Sequence, residues 1–372
     1  MSERHLYIHV PFCARRCAYC DFSIAVRPAV PVDEYLTGLR SELRLRAPKS
    51  GWTLDTLYLG GGTPSRLGGE GIRSLLVAVS EFVTLAPSAE VTMEVNPEDV
   101  TPESARTWIE AGVNRFSLGI QTFDAGILKW MHRVHSVDQS TYAFETLRAA
   151  GATNISVDMI FALPDSLKRN WRADLDKALA LDPEHISLYG LTVETGTPLQ
   201  RWVDRGTAVP VGDDSYSQEF MEAHEILTSN GFAHYEVSNF SKPGFRSRHN
   251  SSYWSGAAYA ALGPSAHSFD GTAREWNIRP YAAWLSSVTS GNLPSEGRES
   301  LTEYNRATER VYLGLRTTDG LALSEVNDNA TINAWRDAGW ATISDASIRL
   351  TAEGWLRLDS LASDLTLSRS NF

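Results

Sequence analysis

Six short apolar runs, each separated from the next by a helical stretch, constrain the fold of this 372-residue chain more than any other feature. The runs are Leu6 to Val10, Thr56 to Leu59, Val91 to Val95, Arg115 to Leu118, Ile155 to Ile160 and His185 to Tyr189. Between them the spacing predicts helices over Val32 to Leu45, Glu70 to Phe82, Thr101 to Ala111, Val137 to Ala150 and Leu167 to Leu181. Strands that alternate with helices call for a parallel sheet joined by right-handed crossovers. The predicted fold class is therefore α/β, a partial (β/α)6 barrel of the TIM type. Functional residues of such barrels sit in the loops after the carboxyl ends of the strands.

Two loops stand out on that rim. The stretch after the first strand holds all three cysteines of the protein, Cys13, Cys17 and Cys20, in a CxxxCxxC spacing. One short loop can aim three thiolates at a single centre. They suit three corners of a four-iron cluster, whose fourth iron stays open to a small molecule. Structural zinc with His5 or His9 as fourth ligand is the bland alternative, although zinc frameworks usually bring ligands as two separated pairs. The loop after the second strand is Gly60-Gly61-Gly62-Thr63. Glycines there let a ligand approach the backbone amides, or simply make a tight βα turn.

Composition narrows the partners. Charged residues make up 21% of the chain and hydrophobic ones 42%, an ordinary globular balance. The net charge of −11 disfavours long-range attraction to nucleic acid or anionic membrane, so partners should be small molecules or proteins. No apolar run approaches a membrane span, no signal-peptide core opens the chain, and three unpaired thiols fit a reducing cytoplasm.

The βα pattern defines a first domain over residues 1–212. It lapses beyond Asp213, where a helix over Tyr216 to Asn230 and a strand over His234 to Ser238 lead into a loop-rich stretch, Asn239 to Ser268. Residues 213–300 read as a linking segment that covers the barrel mouth. Residues 301–372 form an α+β unit: helices over Glu303 to Leu315 and Thr331 to Ala338, a hairpin of Trp340 to Ile343 with Ser347 to Leu350, and a closing helix over Ala352 to Leu361. The order is that of a winged helix. Ten acidic residues against seven basic ones argue against phosphate binding and for protein contact or a lid.

Several side chains beyond the cysteines suit chemistry. Glu94 shares one face of its strand with Thr92 and Asn96, and a carboxylate facing a barrel interior is costly without a partner or ligand. A ribose diol is a natural donor to it. Arg133 and Asp158 follow successive strands and read by themselves as a salt bridge. Arg248-His249-Asn250-Ser251-Ser252-Tyr253-Trp254 gathers a histidine with two large aromatics. Such a cluster either ligates haem iron and covers its macrocycle or packs a core histidine.

The cysteine loop, with CxxxCxYCDF after an opening YIHVPF, resembles that of the anaerobic coproporphyrinogen III oxidase family of radical S-adenosylmethionine (SAM) enzymes. The resemblance spans nearly the whole chain and implies a [4Fe-4S] cluster on Cys13, Cys17 and Cys20 with SAM at its open iron. It further implies that Tyr7, Tyr19, Gly61, Gly62, Thr63, Glu94, Gln121, Arg133, Asp158 and Thr192 contact SAM, some of them at a second SAM position. The oxidases carry a fourth cysteine where this chain has Phe22, and a longer segment before the loop than the twelve residues preceding Cys13. Those departures and the HNxxYW motif resemble a haem chaperone branch of the family. That branch implies haem as cargo, haem-accepting apoproteins such as respiratory enzymes as partners, and haem contacts from His249, Asn250, Tyr253 and Trp254, with His267 a second ligand candidate. It leaves room for a homodimer. The alternatives are oxygen-independent decarboxylation of coproporphyrinogen III and radical modification of RNA, the latter disfavoured by the acidic balance.

Overall fold

The computed structural model describes residues 3–326 and 328–367. Its main sheet contains six parallel strands in sequence order: β1 (His5–Val10), β2 (Trp52–Gly61), β3 (Val83–Val95), β4 (Arg115–Gln121), β5 (Ile155–Phe161) and β6 (His185–Gly190). Between successive strands run α1 (Val32–Arg46), α2 (Gly68–Ser80), α3 (Pro102–Glu110), α4 (Val137–Ala149) and α5 (Trp171–Ala180), as the alternation predicts. Strand alternation explains why the layers form. Leu6, Ile8, Leu57, Leu59, Val91, Met93, Phe116, Leu118, Ile155 and Val157 join the helices in one buried apolar core. The residues between them, such as Thr56, Thr92, Ser117 and Ser156, point the other way, so the concave face of the sheet is polar.

The sheet stays open, and residues 213–300 extend it at both edges. Helix α6 (Asp213–Ser229) packs beside α5, and the antiparallel pair β7 (Ala233–Glu236) and β8 (Asn239–Ser241) adds to the β6 edge. Helix α7 (Arg248–Trp254) carries the HNSSYW motif. Strand β9 (Ala260–Leu262) then pairs parallel with β1 at the opposite edge, Leu6 facing Ala260 and Ile8 facing Leu262. A second, three-stranded antiparallel sheet follows, β10 (His267–Phe269), β11 (Ala273–Asn277) and β12 (Ser295–Ser300), with α8 (Tyr281–Thr289) between the last two. Buried Glu42 of α1 ties this segment down: it accepts from Gly263 N–H at 2.8 Å, Asn277 Nδ2 at 2.6 Å and Trp284 Nε1 at 2.9 Å, and pairs with Arg46 at 3.1 Å.

The carboxyl-terminal unit has the predicted winged-helix order. Helices α9 (Glu303–Leu315) and α10 (Asn329–Asp337) precede β14 (Ala341–Ile343) and β15 (Ser347–Leu350), and β13 (Leu321–Ala322) adds a third strand beside β15. The closing helix is broken into Ala352–Trp355 and Leu358–Leu367. Trp355 joins the unit to the edge of the main sheet: its Nε1 donates within the unit to Leu315 O at 3.0 Å, and its ring meets that of His234 on β7 edge-on at 4.5 Å. Among the described residues no helix is long and apolar enough to cross a membrane.

Candidate functional site

At the carboxyl ends of β1 to β6 lies a cavity of about 540 Å³. Twelve of the residues singled out for the cluster and SAM line it: Cys13, Cys17, Cys20, Tyr19, Gly61, Gly62, Thr63, Glu94, Gln121, Arg133, Asp158 and Thr192. Tyr7 lies beneath, its ring stacked on Tyr58 at 6.0 Å. Backbone hydrogen bonds anchor the cysteine loop to distant elements. Ala18 N–H donates to Met131 O at 2.9 Å, Leu199 N–H to Ala18 O at 2.8 Å, and Arg27 N–H to Cys13 O at 3.1 Å.

The thiols have neighbours suited to sulfur ligands. Thr63 Oγ1 lies 3.4 Å from Cys13 Sγ, and Arg133 Nη1 donates to Cys17 Sγ at 3.6 Å. Burial pushes the Cys13 thiol up to about 11 and the Cys20 thiol up to about 12, so iron must displace their protons. The histidines of the zinc alternative are turned elsewhere. His9 places Nδ1 at 3.1 Å from Tyr7 Oη and Nε2 at 2.9 Å from Ser23 O, and His5 Nδ1 meets Thr56 Oγ1 at 3.0 Å. Three sulfurs on one wall without a histidine suit a cluster with one open iron.

Glycine is sterically required beside them. A Cβ on Gly61 would stand 2.4 Å from His9 Nδ1, and one on Gly62 2.6 Å from the Pro11 carbonyl carbon. A Cβ on Gly60 would stand 2.7 Å from Tyr58 Cε1 and 3.0 Å from Glu94 Oε1. The loop is thus more than a turn, because its bare backbone lets β1, the tyrosines and Glu94 close on one point.

Glu94 sits half-buried in the wall. Its Oε1 accepts the Tyr58 hydroxyl at 2.9 Å and its Oε2 accepts Gly61 N–H at 3.0 Å. Burial, with Asp158 nearby, raises its pKa to about 7 against the pull of those two donors. Asp158 is raised likewise by burial, and accepts Ser117 Oγ at 2.7 Å and Ser156 Oγ at 3.1 Å.

Arg133 and Asp158 form no salt bridge. The guanidinium donates instead through Nη2 to Asn96 Oδ1 at 2.8 Å and Gly119 O at 2.9 Å, with Nη1 on the Cys17 sulfur. Burial opposes its charge, yet Cys17, Tyr19 and Glu98 outweigh that and raise its pKa. Reaching this position takes backbone strain: His132 just before it has φ 61° and Gln121 has φ 71°. Residues missed in the sequence complete the site. Tyr58 holds Glu94, and Asn96 bridges Arg133 to Thr63 Oγ1 at 3.2 Å. Both follow from alternation, Tyr58 sharing a face with Gly60 and Asn96 with Glu94.

The HNSSYW motif lies elsewhere. Thr56, its main contact on β2, pairs with the first residue of β1, whereas Gly61 pairs with the last. Helix α7 therefore sits near the amino-terminal floor of the sheet, about 17 Å along the strand from the cysteine rim by strand rise. His249 is fully buried, with Nδ1 2.7 Å from Thr56 Oγ1 and Nε2 2.8 Å from Tyr253 Oη, and burial lowers its pKa to about 3. Neither ring nitrogen is left for an iron. In this fold His249 packs as a core histidine, and a role as haem ligand would require one of these two hydrogen bonds to open. Asn250 lies in the first turn of α7, where its backbone N–H donates to the capping Ser247 Oγ at 3.3 Å. Trp254 lies under the Arg316 guanidinium at 4.2 Å, and exposed His267 stacks on Trp276 at 6.0 Å.

Comparison with known proteins gives concordant matches. Residues 7–178 match the model of the radical SAM superfamily. The chain is 37% identical over 371 residues to the heme chaperone HemW of Mycobacterium tuberculosis strain CDC 1551 / Oshkosh, covering 97% of this chain and 94% of that one. It is 34% identical over 320 residues to heme chaperone HemW of Bacillus subtilis strain 168, covering 85% and 84%. Among solved structures, coproporphyrinogen III oxidase (HemN) from Escherichia coli superposes with a TM-score of 0.82 at 20% identity, covering 98% of this chain and 90% of that one.

Proposed function

Because the chain belongs to the HemW heme chaperone family and carries a radical SAM domain, we propose that it binds haem and passes it to acceptor proteins while holding a [4Fe-4S] cluster and SAM. The observation that carries the reading is the rim itself. Three cysteines, a glycine cradle and a carboxylate line one cavity, while Phe22, where the oxidases carry a further cysteine, stands 56% exposed at its edge.

Cys13, Cys17 and Cys20 hold the cluster in this reading, and Gly61, Gly62 and Thr63 receive the methionine end of SAM. When bound, cluster and SAM supply one-electron redox chemistry. Glu94 accepts the ribose hydroxyls on the lone pairs that Tyr58 and Gly61 leave over. Arg133 sets a fixed positive charge against Cys17, and Tyr7, Tyr19, Gln121, Asp158 and Thr192 shape the rest of the SAM site. Haem is the cargo, apoproteins of the respiratory type are the acceptors, and transfer takes place in the cytoplasm. The experiment is a haem titration beside a decarboxylation assay on the anaerobically reconstituted protein. Haem should give the absorption of a bound complex, and coproporphyrinogen III with SAM and reductant should yield no protoporphyrinogen. Sustained turnover would overturn the chaperone reading in favour of an oxidase.

A further inference from the structure

HNSSYW is the sharpest motif in the chain outside the cysteine rim, and the fold leaves its histidine no exposed surface. Three contacts pin His249, and a fourth holds the residue before it. Thr56 and Tyr253 take its ring nitrogens, as described above. Its N–H and that of Arg248 donate to the two carboxylate oxygens of Glu90, each at 2.9 Å. Thr56 Oγ1 also meets His5 Nδ1 at 3.0 Å, so the ring is fixed from β1, β2 and β3 together. A histidine held this firmly, so far from the cysteine rim, calls for a reason.

Its neighbour supplies one. Tyr58 stacks on the His249 ring, centroids 5.0 Å apart and planes 29° from parallel, and Tyr7 stacks on Tyr58 at 27°. Tyr58 is also the residue whose hydroxyl donates to Glu94 Oε1. A single side chain thus touches the buried motif with its face and the cavity carboxylate with its tip. There is little slack between them, because Tyr58 and Glu94 both crowd the space that a Cβ on Gly60 would fill. In a close-packed interior a shift of one ring must displace the next.

We propose that His249 is a positioning residue for the SAM site: braced by Thr56, Tyr253 and Glu90, its ring supports Tyr58, and Tyr58 orients Glu94 toward the ribose. The proposal rests on the reading of Glu94 as the ribose acceptor. It gives HNSSYW a task that needs burial and engaged ring nitrogens, the two properties that set it against iron ligation.

The test is equilibrium dialysis of SAM against reconstituted protein, with iron content and thermal melting measured alongside. His249→Ala removes the support and should weaken SAM binding about tenfold at unchanged iron content. His249→Phe keeps a stacked ring without ligating nitrogens and should recover most of that loss. Tyr58→Phe keeps the stack but loses the hydroxyl, and should also weaken binding about tenfold, the scale of one hydrogen bond to a charged group. If His249→Ala lowers only the melting temperature, with SAM affinity as in the wild type, the proposal is overturned. Should that variant fail to fold, Tyr58→Phe decides, and unchanged affinity there overturns it equally. Glu94→Ala separates the two levels: if it binds SAM undiminished, the ribose reading itself fails, whereas if it loses SAM and the His249 and Tyr58 variants do not, only the positioning role fails.

Discussion

The raised pKa of Glu94 makes SAM affinity a function of pH. In the protein without SAM this carboxyl titrates at about 7, against an ordinary glutamate value of 4.5, because burial penalises its charge more than Tyr58 and Gly61 relieve it. Tyr58 and Gly61 occupy one lone pair on each oxygen, and an ionised carboxylate offers about two more for the ribose hydroxyls, whereas the protonated form turns one oxygen into a donor. Only the ionised fraction is competent, about 9% at pH 6 and about 91% at pH 8 for such a group, and apparent affinity scales with that fraction. SAM should therefore bind about tenfold more tightly at pH 8 than at pH 6, with the change levelling off above pH 8. Stability should move the other way. A carboxyl whose folded pKa is raised contributes stability below its unfolded value that is lost as pH rises toward 7. Equilibrium dialysis of the anaerobic holoprotein from about pH 5.5 to 8.5 measures the first effect, and denaturant melts over the same range measure the second. Glu94→Gln should abolish both slopes. An affinity independent of pH in the wild type, or the same slope in Glu94→Gln, would refute the reasoning.

Anaerobic reconstitution should give about four irons per chain, and Cys13→Ser, Cys17→Ser or Cys20→Ser should lose the cluster absorption; one zinc and no iron in the wild type would contradict this. Arg133→Met removes a buried positive charge and the hydrogen bond to Cys17, so the cluster midpoint should fall on the order of 60 mV, a tenfold change for a one-electron couple, in an electrochemical titration without SAM. Glu42→Ala strips four partners, leaving the buried Gly263 N–H and Trp284 Nε1 without an acceptor while Arg46 keeps Glu275, and should cost about 3–5 kcal/mol in chemical denaturation. His249→Ala should leave the haem-bound absorption spectrum unchanged, because neither ring nitrogen is free to ligate; loss of a histidine-type spectrum would show that the ring is released when haem arrives.

What could be read from the sequence was whatever local pattern dictates. The six strands announce themselves by apolar runs, and the rim follows because loops after parallel strands share one end of the sheet. What escaped depends on distant partners. Ala260–Leu262 is three small or apolar residues with no period of its own, and only the free edge of β1 makes it a strand. His249 reads equally well as ligand or core residue until Thr56 and Glu90, 193 and 159 positions away, are seen to hold it. The pairing of Arg133 with Asp158 looked natural from adjacent strands, but a bend with φ 61° at His132 turns the guanidinium toward Asn96 and Cys17.

The pairing of β9 with β1 also sets an order of assembly. On one side β1 meets β2 early, but its other edge waits for Ala260–Leu262, about 250 residues later in the chain. At ordinary synthesis rates that edge stays unpaired for on the order of 10–50 s, during which the adjoining cysteine loop belongs to an incomplete sheet. The seal on this edge is Glu42, whose partners Gly263, Asn277 and Trp284 are all made after the six parallel strands. Throughout that interval the loop of Cys13, Cys17 and Cys20 hangs from a strand paired on one side only.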